Sequence, residues 1–306
     1  MEMEKFEVII VGGSYSGLAA AMALGRSRRK VLVVDSGLPC NRFTPHSQNF
    51  LTRDGAAPAE IAAIARSQVQ KYPTIHFLDD LVVSTRKATT FFEVQTADGK
   101  AFSTEVVVLA TGIKDLFPEV EGFADCWGKS VIHCPYCHGY EFRDQKTAIW
   151  VRPGHGLHLA PLVRNLTEDL TLLTNDEVHF DAAEQELLAG NGIAIIDDRI
   201  TRFIHQDGQL NSVCFENGRE IDFKAVYAGL PFEQHSSLAA DLGCEFTDTG
   251  HIQTDPFFKT SVEGLYACGD NVSPLRSVAS AVSNGTIAAA GINRELAILT
   301  FEKRRA

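Results

Sequence analysis

Apolar residues occur in short β-branched runs that end at glycine-containing turns, a pattern typical of buried parallel strands. The first run, Phe6–Val11, is followed by a glycine turn and by Leu18–Leu24, which has the composition of a helix. A second run, Val31–Val34, ends in Asp35. The residues of the glycine turn are Gly12, Gly13, Ser14, Tyr15, Ser16 and Gly17. The hydrophobic pattern therefore predicts a strand, a tight turn, a helix and a second strand.

This order is typical of a dinucleotide-binding unit. In such a unit the glycines let the backbone approach a pyrophosphate at the helix start, and an acidic residue about 20 positions on accepts hydrogen bonds from a ribose. Asp35 stands at that place in the sequence. Ser14 replaces the middle glycine of the pattern, so a tight turn that binds nothing stays open as an alternative.

The next segments predict elements around this unit. Residues 36–56 are expected to form a long loop, Pro58 to begin a helix that runs to about Lys71, and Phe91–Val108 to form a hairpin that turns at Asp98-Gly99. The hairpin leads into an apolar strand that ends in Ala110, Thr111 and Gly112. Small residues at the end of a strand let the backbone come close to a flat or bulky neighbouring group.

The middle of the chain repeats the first pattern in a damaged form. Thr147–Val151 predicts a strand, Arg152–Gly156 a turn, and Leu170–Thr174 a further strand. Pro153 removes a backbone donor from the turn, and Leu159 stands where a small residue would permit close helix packing. No Arg or Lys directly follows Thr174 to hold a ribose phosphate.

Near the carboxyl end the chain returns to the first pattern. An apolar strand ends in Gly269 and Asp270, and a helix rich in Gly and Ala is predicted through Ile292. A carboxylate at a strand's carboxyl end lies where open α/β sheets bind ligands. We therefore expect an α/β fold of two Rossmann-like domains, with residues 1–113 and 247–306 forming one domain and residues 114–246 inserted into it.

Composition and charge narrow the function classes. The chain has 306 residues and 45% hydrophobic residues, enough for two domains. Its net charge of -11 argues against a nucleic-acid partner and against an anionic membrane surface. The amino terminus shows no basic start or cleavage pattern, and the apolar helix at 18–24 is too short to span a bilayer, so we expect a cytoplasmic protein.

The segment His133-Cys134-Pro135-Tyr136-Cys137-His138 carries the strongest chemical signal. Two cysteines separated by two residues can share one turn at a helix start, where the helix dipole favours a thiolate. We therefore expect redox chemistry, with a chance spacing and a zinc site of the two cysteines and two histidines as alternatives. The other five of the seven cysteines are expected in the cores, as in a reducing compartment.

Taken together, the glycine turn, Ala-Thr-Gly, Cys-x-x-Cys and the late Gly-Asp resemble the low-molecular-weight thioredoxin reductases along nearly the whole chain. The resemblance implies FAD as the cofactor, a homodimer, Cys137 beside the flavin and Cys134 attacking the partner disulfide. The residues that it assigns to FAD binding are the glycine turn (Gly12, Gly13, Ser14, Tyr15, Ser16, Gly17), Asp35, Asn49, Gly112, Gly269, Asp270, Arg276, Ser277 and Val278. Ser277-Val278 differs from the Gln-Ala that is usual after the arginine.

Two departures from this family change the expected mechanism. His138 stands where the family has an aspartate, and an imidazole can move the thiol proton in its place, although a histidine chosen for packing stays an alternative. The middle turn also lacks the features that hold NADPH. The His-Gly-Tyr-Glu tail of the Cys-Pro-Tyr-Cys-His-Gly-Tyr-Glu motif and the Gly-Gly-Ser-Tyr turn resemble a divergent branch of the family that includes nicotinamide-independent flavin reductases of thioredoxin and fungal dithiol oxidases, so we expect a ferredoxin-type or other donor.

We therefore expect electrons to pass between FAD and the Cys134/Cys137 pair and on to a thioredoxin-like protein. A flavin oxidase that uses O2 on a small dithiol is the first alternative, and an NAD(P)H-dependent thioredoxin reductase is the second. A flavin-free binding protein with the same fold is the third. Trp127, Phe257 and Phe258 are expected in a core or a dimer contact.

Overall fold

The computed structural model of the protein describes residues 3–153 and 157–303. The strands are β1 (Glu4–Val11), β2 (Val31–Asp35), β3 (Ile75–Asp79), β4 (Val82–Lys87), β5 (Phe92–Thr96), β6 (Ala101–Leu109), β7 (Ile113–Asp115), β8 (Val131–Ile132), β9 (Thr147–Trp150), β10 (Leu170–Leu173), β11 (Ala194–Ile196), β12 (Ile200–Gln206), β13 (Gln209–Phe215), β14 (Glu220–Asp222), β15 (Ala225–Ala228), β16 (Phe232–Gln234) and β17 (Leu265–Ala267). The α-helices are α1 (Tyr15–Arg26), α2 (Pro58–Val69), α3 (Phe123–Cys126), α4 (Pro135–His138), α5 (Leu159–Arg164), α6 (Ala182–Gly190), α7 (Leu238–Asp241) and α8 (Val278–Lys303).

The chain folds into two compact units. The first unit contains the chain up to Cys40, Ala59–Lys114 and the chain from Glu233 onward, and the second contains Asn41–Pro58 and Asp115–Phe232. The chain thus rejoins the first unit at Glu233, earlier than the predicted residue 247. The reason is that α7 and the residues after it pack into the core of the first unit, where Leu238, Ala239 and Cys244 are buried.

The sheet of the first unit has the strand order β3-β2-β1-β6-β5-β4, and β17 also pairs with β6. β1 pairs in parallel with β2 and β6, as the alternation of strands and helices predicts. Val8 and Ile10 pack into one apolar core while Ile9 and Val11 pack into another. From Val8 to Val11 both faces of β1 are buried, so this part of the strand is apolar at every position rather than alternating. The predicted hairpin is confirmed by the antiparallel pairing of β5 and β6.

The second unit contains a parallel sheet with the order β11-β10-β9-β15-β8 and a small antiparallel sheet of β12, β13 and β14. Aromatic rings fill the core between them. Trp127, 5% exposed, stacks on Phe123, and Phe203 packs edge-on against the same ring. Trp127 is therefore a core residue, which is the first of the two placements expected from the sequence, a core or a dimer contact. In the first unit Phe258 packs against the core, whereas Phe257 is exposed.

Two further expectations concern helices and cysteines. In the part of the chain that the structure describes, no helix is both long and apolar enough to cross a membrane. Cys126, Cys244 and Cys268 are buried as expected. The expectation is wrong for Cys40 and Cys214, which are partly exposed because they lie in a 3-10 turn and in β13 rather than inside a core.

The α1 and α8 helices approach each other closely in the first unit. Gly285 of α8 lies against the backbone of α1, where a Cβ atom on Gly285 would overlap the carbonyl oxygen of Ser16. α8 ends at Lys303 instead of the predicted Ile292. The late part of the sequence therefore holds in place the helix that follows the glycine turn.

We expect Gly285→Ala to lower the free energy of unfolding by about 2–3 kcal/mol, because the new methyl group forces two helix backbones apart. Urea unfolding followed by circular dichroism measures this change. Gly190→Ala is the matched control, since a Cβ atom there meets no atom within 4 Å, and it should be neutral or stabilising by up to about 1 kcal/mol. Equal stabilities of the two variants would contradict the close packing of α1 on α8.

Candidate functional site

The glycine turn (Gly12–Gly17) connects β1 to α1 in a tight arrangement. Gly12 has a φ of 107°, and its N–H donates to the carbonyl of Val34 at 2.8 Å. Ser14 precedes the first residue of α1, and its carbonyl accepts from the N–H of Leu18 at 2.8 Å. A Cβ atom on Gly17 would overlap the carbonyl oxygen of Gly12. The start of α1 thus lies directly against the turn, which leaves its first amides at the carboxyl end of β1.

Asp35 lies beside this turn at the end of β2. A Cβ atom on Gly13 would come within 2.8 Å of the Cβ of Asp35, so the missing side chain lets the carboxylate lie against the turn. Asp35 also lines a cavity of about 300 Å³. The other residues of this cavity are Ser36, Gly37, Arg66, Asp79, Asp80 and Leu81. The predicted ribose-binding carboxylate is therefore next to both the turn and an open space.

The late Gly-Asp segment joins the same cluster from the far end of the sequence. Gly269 has a φ of 99°, and a Cβ atom there would be 2.7 Å from Ser16 Oγ. Asn271 is fully buried, and its Nδ2 donates to the carbonyl of Leu109 at 2.9 Å. This bond fastens the segment to the end of β6. Sequence reasoning missed Asn271, because its partner lies 162 residues away along the chain.

Arg276 and Asp270 lie close together next to this segment. Their Nε and Oδ2 atoms are 4.0 Å apart, and Arg276 Nη2 donates to Cys40 Sγ at 3.1 Å. Cys40 is a second residue that the sequence did not single out, since only the fold brings it to an arginine. Ser277 caps α8 by accepting a hydrogen bond from the N–H of Ser280 at 3.1 Å, and Val278 is the first residue of that helix.

Two other predicted cofactor residues differ in their placement. Gly112 follows β6 with a φ of 67°, and a Cβ atom on it would meet open space. Its carbonyl accepts a hydrogen bond from the N–H of His235. Asn49 belongs to the segment Asn41–Pro58, which groups with the second unit, and it is exposed there. Its N–H donates to Asp54 Oδ1 at 2.7 Å in a local turn.

The two cysteines of the motif lie on a short loop that follows β8, here called the redox loop (residues 133–139). Cys134 precedes α4, Pro135 is the first residue of that helix, and the N–H groups of Cys137 and His138 both donate to the carbonyl of Cys134 at 3.2 Å. The Sγ atoms of the two cysteines are 2.6 Å apart, and both residues are partly buried. The loop therefore holds the pair within reach of a disulfide bond.

His138 is the last residue of α4, and it is partly buried. Burial lowers the pKa of its imidazole below the ordinary value of 6.5, so the ring is neutral at neutral pH. A neutral imidazole can accept a proton. Among the described residues, no group of three or more His, Cys, Asp or Glu side chains is arranged to hold a metal ion.

The damaged turn in the middle of the chain is described in part. Pro153 is exposed and Leu159 begins α5, while Gly154, His155 and Gly156 lie outside the described residues. His158, which directly precedes α5, is exposed to solvent. After β10, the Thr174 hydroxyl donates to Asp197 at 2.8 Å and Asn175 Nδ2 donates to Glu177 at 2.7 Å. Two carboxylates, those of Asp197 and Glu177, thus accept hydrogen bonds from the residues that follow β10.

Known proteins resemble the chain over most of its length. The family model described as pyridine nucleotide-disulphide oxidoreductase matches residues 6–285. The thioredoxin reductase tcpT of Claviceps purpurea is 33% identical, over 92% of this chain and 91% of that protein. The thioredoxin reductase aclD of Aspergillus oryzae is 31% identical, over 95% of this chain and 96% of that protein.

A solved structure resembles the chain over a similar share of its length. The crystal structure of an oxidoreductase from Agrobacterium tumefaciens superposes with a TM-score of 0.90 at 38% identity, and covers 96% of this chain and 99% of that one. The matched region contains both the glycine turn and the redox loop. The chain therefore belongs to the pyridine nucleotide-disulphide oxidoreductase family, and it is an oxidoreductase of the thioredoxin reductase type.

Proposed function

We propose that the protein is a FAD-dependent disulfide oxidoreductase that passes electrons between FAD and the Cys134/Cys137 pair and on to the disulfide of a thioredoxin-like protein. The observation that carries this proposal is the redox loop, which holds two cysteine sulfurs 2.6 Å apart at the carboxyl end of a parallel strand. A partly buried histidine, His138, directly follows Cys137 in sequence. The family to which the chain belongs carries out this class of reaction.

The residues of the glycine turn fit a dinucleotide cofactor. Gly13 lets Asp35 lie against the turn, and the cavity next to Asp35 can take the ribose and the base. Gly112 leaves open space where a side chain would begin, Gly269 lies buried against Ser16, and Arg276 supplies a positive charge in the same unit. The remaining members of the proposed set are Ser14, Tyr15, Ser16, Asp270, Ser277 and Val278. Asn49 is proposed on the resemblance alone.

Bound FAD would act as a two-electron carrier. The protein's own part of the reaction is a pair of thiol exchanges. The Cys134 thiolate attacks the partner disulfide, forms a mixed disulfide and releases the first partner thiolate. Cys137 then attacks Cys134, which releases the second partner thiolate and leaves a Cys134–Cys137 disulfide. The pair loses two electrons in this step and the partner disulfide gains them.

His138 is proposed to handle the proton in these exchanges. Since its neutral form prevails at neutral pH, it can take the proton from a cysteine thiol and return it to a departing partner thiolate. An aspartate, which the related reductases commonly have at this position, would do the same with a carboxylate. Its position directly after Cys137 in α4 supports this role.

The proposed electron donor is not NADPH. Pro153 lacks a backbone donor, Leu159 occupies the helix start, and carboxylates gather after β10, where a negatively charged 2′-phosphate would be repelled. A ferredoxin-type protein or another donor would then reduce the cofactor. NADH-dependent or NADPH-dependent reduction and the oxidation of a small dithiol by O2 are the competing possibilities.

Replacement of single cysteines tests the proposed order of attack. Cys137→Ser should accumulate a mixed disulfide between Cys134 and a purified thioredoxin, visible by mass spectrometry, because no second thiol resolves it. Cys134→Ser should form none, while both variants keep the flavin absorption bands. A Cys134→Ser protein that reduced thioredoxin at the normal rate would exclude Cys134 as the attacking residue.

Anaerobic titration of the purified yellow protein tests the donor. Reduced ferredoxin should bleach the flavin band rapidly, whereas NADPH should not, because the proposed nucleotide site repels its phosphate. NADH and dithiothreitol are run separately as further donors. Rapid bleaching by NADPH would contradict the proposed donor class, bleaching by the dithiol with peroxide release in air would favour the oxidase, and a colourless chain that cannot take up FAD would contradict the whole proposal.

The pH dependence of thiol exchange tests His138. Burial lowers the pKa of its imidazole, so the rate of thioredoxin reduction should fall only when the pH drops below 6.5, where the ring becomes protonated. His138→Gln should slow the reaction by about 100-fold at pH 7.5 and should lose this acid limb.

The same shift has a consequence for stability. The unfolded chain takes up a proton on this histidine near pH 6.5, about as in model peptides, while the folded chain does so only at lower pH. The stabilising contribution of the neutral ring is therefore fully present above pH 6.5 and is lost as the pH falls through the lowered value.

His158→Gln, at an exposed position in the same unit, is the matched control for the rate measurement. An unchanged rate profile in His138→Gln would assign this histidine a packing role.

A further inference from the structure

The cavity beside Asp35 lies at the carboxyl ends of two neighbouring strands. Asp35 ends β2, Asp79 ends β3, and the two residues are paired in the parallel register of these strands. The N–H of Asp80 donates to the carbonyl of Asp35 at 3.0 Å, which ties the residue after β3 to the end of β2. The volume of about 300 Å³ is at the lower end of the range for small-molecule sites. It therefore suits one part of a dinucleotide rather than the whole molecule.

Arg66 is the residue that α2 contributes to the lining of this cavity. Its guanidinium lies over the ring of Phe77, with 4.7 Å between Cζ and the ring centroid. Its Nη2 donates to Asp79 Oδ1 at 2.7 Å, and the side chain is 34% exposed. Phe77 thus covers one face of the planar guanidinium and Asp79 binds its edge. These two contacts hold the cation at the wall of the cavity.

The charges around the cavity restrict what it can bind. Among the described residues that line it, Arg66 carries the positive charge, and Asp35, Asp79 and Asp80 carry carboxylates. A phosphate group would be repelled by this excess of negative charge, whereas the amino group of an uncharged ring can donate to a carboxylate. A guanidinium also stacks on the faces of flat rings. The lining therefore favours a neutral aromatic ring with hydrogen-bond donors, and the adenine ring of FAD is such a ring.

We propose that Arg66 is the residue that makes the protein prefer FAD to a flavin without adenine: the face of its guanidinium opposite Phe77 stacks on the adenine ring, while Asp79 holds the guanidinium in place. This inference rests on the proposed FAD-dependent function, and it adds a residue that the family resemblance did not assign. No bond is made or broken at Arg66. Its contribution is to the affinity for the adenosine half of the cofactor.

Isothermal titration calorimetry of the full chain freed of flavin tests this inference. The probes are FAD, FMN, which lacks the adenosine half, and ADP, which lacks the flavin half. Arg66→Met keeps an unbranched apolar side chain over Phe77 and removes the charged plane. It should raise the Kd of FAD and of ADP by about tenfold, as expected for a lost cation–π contact, and it should leave the Kd of FMN unchanged.

Arg86→Met is the matched control. Arg86 forms an ion pair with Glu93 on the neighbouring strand and does not line the cavity, so its replacement should change none of the three affinities. Asp79→Asn serves as a second variant in case Arg66→Met does not fold. Because it weakens the bond that holds the guanidinium, it should raise the Kd of FAD by about threefold and spare FMN.

The pattern of losses separates stacking from a structural effect. An equal loss of affinity for FAD and FMN would overturn the proposal and make Arg66 a residue of the fold. Unchanged affinities for FAD and ADP in the folded variants would overturn it as well. An unaltered chain that binds neither flavin would contradict the proposed function and this inference with it, whereas FAD binding that does not depend on Arg66 would contradict this inference alone.

Discussion

Close approach of backbone to backbone is the constraint on which the first unit depends. The carbonyl oxygen of Gly12 lies where a side chain of Gly17 would begin, and the carbonyl oxygen of Ser16 lies where a side chain of Gly285 would begin. α1 is therefore held on one side by the turn that precedes it and on the other by α8. A larger side chain at either contact must move a helix, since carbonyl oxygens in regular structure cannot rotate away without loss of their hydrogen bonds. The proposed cofactor residues stay in register because these contacts leave α1 no freedom to slide.

Both groups of proposed site residues lie at the carboxyl edge of a parallel sheet, each within its own unit. In the first unit the glycine turn follows β1, Asp35 ends β2 and Gly269 follows β17. In the second unit the redox loop follows β8 and carboxylates follow β10. This common placement is a property of parallel sheets, whose strand ends all open on one edge and whose helix starts carry unpaired N–H groups. Within the second unit, the residues that we propose to be functional at this edge are the two cysteines of the redox loop.

Sequence reasoning predicted the elements whose signal is local. The last four residues of β1 and of β6 and most of β2 are apolar on both faces, and the glycine turn and Cys-x-x-Cys have fixed spacings, so their positions could be stated in advance. β4 was missed because it lies at the edge of the sheet and exposes most of its residues, which gives Val82–Lys87 no apolar run. Cys40 and Asn271 were missed for another reason. Each matters only through a contact with a distant residue, and nothing in the neighbouring sequence distinguishes such a cysteine or amide from others.

A histidine beside the second cysteine has different proton chemistry from the aspartate that the family resemblance would place there. Burial disfavours the charged form of any group, so it raises the pKa of a carboxyl group toward neutrality and lowers that of an imidazole away from it. A buried aspartate at this place could therefore be acid or base near pH 7. The partly buried His138 is a base over that whole range, since its neutral form prevails.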